Sequence, residues 1–100
     1  VREALRGTLA TARYRNGEWQ EACSGLLSVV TGRDSKDPTN AFEGFFIAMA
    51  YWQLGEPSNA MKWLEKSEEW MSQGLNDEID LRRSRDEAWQ LIRNESPAPR

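Results

Sequence analysis

The residues that could do chemistry in this chain are few. Carboxylate pairs include Glu65/Glu69 and Glu68/Glu69, and paired carboxylates are the usual apparatus of general acid–base catalysis. Both pairs fall on what the spacing predicts to be an exposed helix face, where no burial would lift a carboxylic acid toward neutrality. Cys23 is the single cysteine, so no intramolecular disulfide can form. It sits beside Ala22 in a helical pattern and reads as a small buried hydrophobe rather than a reactive thiol. Histidine is absent, which removes Ser-His-Asp and Cys-His catalysis and every site that needs imidazole. With one Cys, no His and no acidic loop of EF-hand pattern, metal-ligand spacing is also missing. Trp89 among Arg82, Arg85 and Arg93 could mimic a nucleic-acid surface, but the acidic run Glu65, Glu68, Glu69, Asp77, Glu78 and Asp80 would repel phosphate. The expectation is a non-enzyme with no metal, no cofactor and no nucleic-acid partner.

The elements that must position these residues follow from periodicity. The chain has 100 residues, 39% of them hydrophobic, with five Trp and 29% charged. That balance supports one small folded core rather than disorder. No apolar run approaches the roughly 18–20 residues of a membrane span, and no signal peptide opens the chain. The net charge of −3 with only three Lys argues against a general nucleic-acid binder. Apolar residues Ala4, Leu5, Leu9, Ala12 and Tyr14 predict a helix over 3–16 that Asn16-Gly17 stops. Trp19, Ala22, Leu26, Leu27, Val29 and Val30 predict a second from about Glu18 to Thr31. GRDSKDPT, residues 32–39, is the one clear loop. A third helix starts near Pro38–Ala41, with Asn40 and Glu43 spaced as a capping box, and stops at Leu54-Gly55. Pro57 suits the first turn of a fourth helix that runs to about Ser72, with Gly74 at its end. Asn76 or Asp77 can cap a fifth, to about Asn94, with Ile79, Leu81, Ala88, Leu91 and Ile92 on its apolar side. No strand pair with a hairpin turn is present, so the fold class is all-α.

An internal repeat is visible. Aligning Gly17 with Gly55, an offset of 38, places Ala10 on Ala48, Ala22 on Ala60 and Leu26 on Leu64. Each unit is a helix, a tight Gly turn and a helix, and the offset exceeds the usual roughly 34-residue period by about the length of the 32–39 loop. The second unit reads Gly44-x-x-Ile47-Ala48-x-x-Tyr51, then Gly55, then Ala60-x-x-x-Leu64-x-x-Ser67. This resembles the tetratricopeptide repeat family, with Gly44 in place of its Trp, Leu64 in place of an aromatic and no closing Pro. The first unit keeps Leu9, Ala10, Gly17, Ala22 and Leu26 but has Arg13 where the second has Tyr51. The resemblance implies two antiparallel tetratricopeptide-like hairpins, repeat 1 about 3–32 and repeat 2 about 38–74. A capping helix over about 77–94 completes a right-handed superhelical α-α array spanning 1–94. FFIAMAYWQLG, MKWLEKSEEW and LRRSRDEAW, across about 4–92, are similar to helical-repeat segments of large multidomain bacterial proteins of planctomycete type. This stretch has neither a phosphate-binding glycine loop nor a catalytic Asp motif, so kinase activity does not carry over. The start at Val1 and the Pro-rich tail 95–100 read as an excised piece with a linker stub, and the location as cytoplasmic.

In that family the first helix of each pair lines a concave groove whose inner face binds peptide. The corresponding stripe here is Phe42, Phe45, Met49 and Trp52. The repeat offset places Ala4, Gly7, Thr11 and Tyr14 beside it, and a looser alignment adds Arg82, Arg85, Trp89 and Ile92. The candidate peptide-binding set is therefore Tyr14, Phe42, Phe45, Met49, Trp52, Arg82, Arg85 and Trp89. Aromatics beside Arg suit an extended peptide with apolar side chains and an acidic group. The same Phe45, Met49, Trp52 and Trp89 could equally pack on one another as the seam between the third and fifth helices. The two-carboxylate clamp of chaperone-tail-binding members is not expected, since its places fall on Gly7, Thr11 and Phe46 and only Arg82 keeps a cation. The function implied is a non-catalytic protein–protein interaction module that binds a peptide or partner domain. The alternative is a structural connector or self-association segment of a larger protein.

Overall fold

A computed structural model describes residues 2–74 and 78–94, with side chains from 9 to 74 and from 78 to 93. The expected cap at Asn76 or Asp77, the linker stub at 95–100 and the side chains of Ala4 and Gly7 lie outside the described residues. Among those residues the chain forms five α-helices and no strand: α1 (Arg2–Arg15), α2 (Trp19–Thr31), α3 (Asn40–Gln53), α4 (Pro57–Met71) and α5 (Ile79–Asn94). None of these helices is long and apolar enough to cross a membrane.

Two hairpins are built on the same turn. At the first, the Gly17 amide donates to the Tyr14 carbonyl at 3.1 Å and the Glu18 amide to the Arg13 carbonyl at 2.9 Å. At the second, the Gly55 amide donates to Trp52 at 3.1 Å and the Glu56 amide to Tyr51 at 2.9 Å. Each is a helix C-terminus closed by a glycine in the left-handed region, with φ 85° at Gly17 and 81° at Gly55. A side chain at either place would be strained. The two turns thus share this pair of hydrogen bonds.

α3 is the central element. It packs against α2, α4 and α5, and more lightly against α1. Nine of its residues are buried, from Asn40 and Ala41 through the unbroken run Gly44–Ala50. A helix buried on nearly every side needs apolar or small residues all round, and GFFIAMA, residues 44–50, supplies them. The approach to α4 is close. A Cβ built on Gly44 would overlap the Ser67 Oγ, so only glycine fits there without displacing Ser67.

The loop at 32–39 is tied down at several points. The Arg33 guanidinium donates to both Glu43 carboxylate oxygens, at 2.6 and 3.2 Å. The Trp70 indole N–H donates to the Ser35 carbonyl at 2.9 Å, which fastens the loop to α4. The expected Asn40–Glu43 capping box does not form. Three successive amides, those of Asn40, Ala41 and Phe42, donate to the carbonyls of Asp37, Pro38 and Thr39 instead, as a tight lead-in turn. The Asn40 side chain is left fully buried and donates to the Asp34 carbonyl at 3.0 Å, while Glu43 turns to Arg33. Asp37 organises the entry, its Oδ1 accepting from the Thr39 amide at 2.9 Å and the Thr39 hydroxyl at 2.6 Å.

Candidate functional site

The predicted stripe does not line a groove. Phe45 and Met49 are both 0% exposed, and Tyr14 is 7% exposed. Phe42 and Trp52 are half-buried and pack on the same core. The reason is the number of neighbours around α3: a helix packed on α2, α4 and α5 has no free stripe beside its buried one. On α5, burial of Leu81, Ala88 and Ile92 fixes the face that meets the core. That orientation turns Trp89 toward α4, where its indole N–H donates to Glu68 at 2.5 Å and Arg93 lies over its ring at 5.4 Å. Arg82 is exposed, and Arg85 is half-exposed, 3.5 Å from Asp86. The eight residues therefore divide between core and separate surfaces, and Tyr14 adjoins a cleft.

That cleft, of about 500 Å³, opens where the C-terminal ends of α1 and α3 meet the start of α2 and the second half of α5. Tyr14, Arg15 and Gly17 come from the first turn, Trp19 from α2, Gln53 from α3, and Glu87, Gln90 and Leu91 from α5. Behind Tyr14, its ring and that of Phe46 meet edge to face, centroids 5.7 Å apart at 77°. The Arg15 guanidinium lies over both, 5.9 Å from the Tyr14 centroid and 5.2 Å from that of Phe46, within cation–π reach. Its two terminal nitrogens donate to the two carboxylate oxygens of Glu87, Nη2 to Oε1 at 2.8 Å and Nη1 to Oε2. This fork joins α1 to α5 across the end of α3. The Glu87 hydrogen bond holds the guanidinium still more firmly in its charged form.

No family model, curated protein or solved structure matches this chain. The reading of the site therefore rests on its own residues. Glu65 and Glu69 are exposed, and Glu68 is engaged by the Trp89 indole. Burial pushes the Cys23 thiol up, against the opposing hydrogen bond it shares with Tyr51, so the sulfur stays protonated and a poor nucleophile. Burial likewise raises the Tyr51 phenol. Among the described residues no group of three His, Cys, Asp or Glu could hold a metal ion. Trp19 and Leu91 offer apolar contact, and the Gln53 and Gln90 amides can each donate and accept.

Sequence reasoning missed Arg15, Trp19, Phe46, Gln53, Glu87, Gln90 and Leu91 as a set. One signal was available. The offset that aligns Gly17 with Gly55 also places Tyr14 on Trp52 and Arg15 on Gln53, which marks the turn end of both first helices as one place.

Proposed function

We propose that this chain is a non-catalytic helical-repeat interaction module that binds an extended segment of a partner protein at the cleft between α1, α3 and α5. The observation that carries the reading is the cleft itself, about 500 Å³ in volume, lined by Tyr14 and Trp19 and by the side-chain amides of Gln53 and Gln90. That size lies within the range of ordinary ligand sites. The resemblance of Gly44, Ile47, Ala48, Tyr51, Ala60, Leu64 and Ser67 to a tetratricopeptide unit supports it, because members of that family bind peptide with the first helices of their hairpins. No cofactor, nucleic acid or membrane enters this reading.

The test is capture from a cell lysate with paired baits, the wild type and a Gln53→Ala/Gln90→Ala/Leu91→Ser variant whose helix content is first matched by circular dichroism. A partner held by the wild type and lost by the folded variant supports the reading. A partner held equally by both, or by neither, favours the second one, a structural connector of a larger chain. That alternative draws on the complete burial of Phe45 and Met49, which leaves the central helix without a free face.

A further inference from the structure

We propose that the cleft recognises the side-chain carboxylate of an acidic residue within an apolar peptide, that Arg15 is the group that binds it, and that Glu87 is an internal stand-in which the ligand displaces. This deepens the cleft reading above and rests on it. The Arg15 guanidinium lies over Tyr14 and Phe46, and both of its terminal nitrogens donate to the Glu87 carboxylate. Planar, two-bond capture of a carboxylate is what Arg does best, and an aromatic platform holds the plane in place beforehand. The occupant comes from another element, and the pair is solvated: the side chains are 53% exposed at Arg15 and 38% at Glu87. Solvated ion pairs are weakly held, so an incoming carboxylate can replace Glu87 without unpacking α5.

Charge selects the ligand. A cationic residue would have to reach Glu87 beside an arginine anchored over two rings, and that arginine would repel it. An acidic residue meets the anchored cation, and Glu87 is free to turn to water. Trp19 and Leu91 then favour apolar neighbours on either side of the acidic residue, and Gln53 and Gln90 can pair with peptide amides.

The experiment is calorimetric titration with three pentapeptides. The first has both ends capped and a central glutamate between apolar residues. The second has glutamine at the centre. The third is the glutamine peptide with a free C-terminal carboxylate. Each is titrated into the wild type, Glu87→Gln and Arg15→Ala, with folding checked by circular dichroism. Glu87→Gln should bind the glutamate peptide about fivefold tighter than the wild type, the value of removing one weak competing ion pair. It should show no such gain for the glutamine peptide, and Arg15→Ala should lose the preference between them. Equal binding of glutamate and glutamine peptides by every variant overturns the proposal, as does absence of binding by all. Preference for the free C-terminus overturns the assignment to a side chain. Arg15→Ala also serves as a third bait in the lysate capture. A partner lost by the Gln53/Gln90/Leu91 variant yet held undiminished by Arg15→Ala would sink the carboxylate proposal and leave the cleft reading standing.

Discussion

At the scale of single residues, the contact between Gly44 and Ser67 sets the distance between α3 and α4. The Ser67 Oγ is buried and has no hydrogen-bond partner among the described residues. A buried hydroxyl without a partner is destabilising, so Ser67→Ala should raise stability by about 1 kcal/mol. Gly44→Ala should lower it by about 1–3 kcal/mol, through overpacking against that same oxygen. In the Ser67→Ala background the overlapping oxygen is gone and the Ser67 Cβ at 3.2 Å and the Trp70 Cζ3 at 3.4 Å remain, so Gly44→Ala should cost less there. Urea denaturation of the four proteins gives the coupling directly, and strict additivity would show that the two residues do not share the contact. Asp37 is the other residue with a legible energetic role. The Thr39 hydroxyl, and after it the Thr39 amide, hold the carboxyl below its ordinary value of 3.8. A carboxylate so depressed stabilises the fold at pH above its unfolded value, and that stabilisation is lost as pH falls through the folded value. The melting-temperature advantage of the wild type over Asp37→Asn should therefore shrink from about pH 6 to about pH 3. A gap that stays constant with pH would remove the carboxylate from the account.

At the scale of elements, helix type and order were legible because each segment carries its own period and its own stop. Gly17, Gly55 and Gly74 mark ends, Pro57 marks a start, and the offset of 38 aligns the first two of those glycines. The start of α3 was misread because Asn40 and Glu43 have capping spacing, yet Arg33 from the loop takes Glu43. A local motif lost to a longer-range ion pair whose side chains are only 15% and 12% exposed. The two hairpin turns carry the prediction at this scale. A Cβ at Gly17 or Gly55 would meet nothing within 4 Å, so the effect of substitution is backbone conformation alone. Gly17→Ala and Gly55→Ala should each destabilise by about 1–2 kcal/mol, and the Asn variants by less, since Asn tolerates the left-handed region. Thermal melts of the four variants check this. A large inequality between the two sites would mean that the turns, alike in hydrogen bonding, are not alike in what they hold together.

At the scale of the whole molecule, the sequence could not say how many neighbours α3 has, and the groove depended on that number. Phe45 and Met49 have the same spacing whether one face of their helix is open or α5 covers it. The cleft was harder still to foresee, because its fork joins Arg15 to Glu87 across 72 positions with no periodic trace. The same centrality of α3 decides how the protein should unfold. A linear repeat array can melt unit by unit when each unit touches only its neighbours. Here α2, α4 and α5 all lean on one helix, so removal of any one would expose the run Gly44–Ala50 to water. Leu26, Leu64 and Leu81 are each about fully buried, on α2, α4 and α5 in turn. Truncation of each to Ala should cost about 2–5 kcal/mol and move one shared transition to lower urea. Far-ultraviolet circular dichroism and tryptophan fluorescence should report the same midpoint in every variant. If Leu81→Ala instead split the curve, with α5 lost first and the hairpins later, α5 would be a separable cap. The cleft would then be a junction that opens and closes with it, and the Arg15–Glu87 fork would be the bond that opens first.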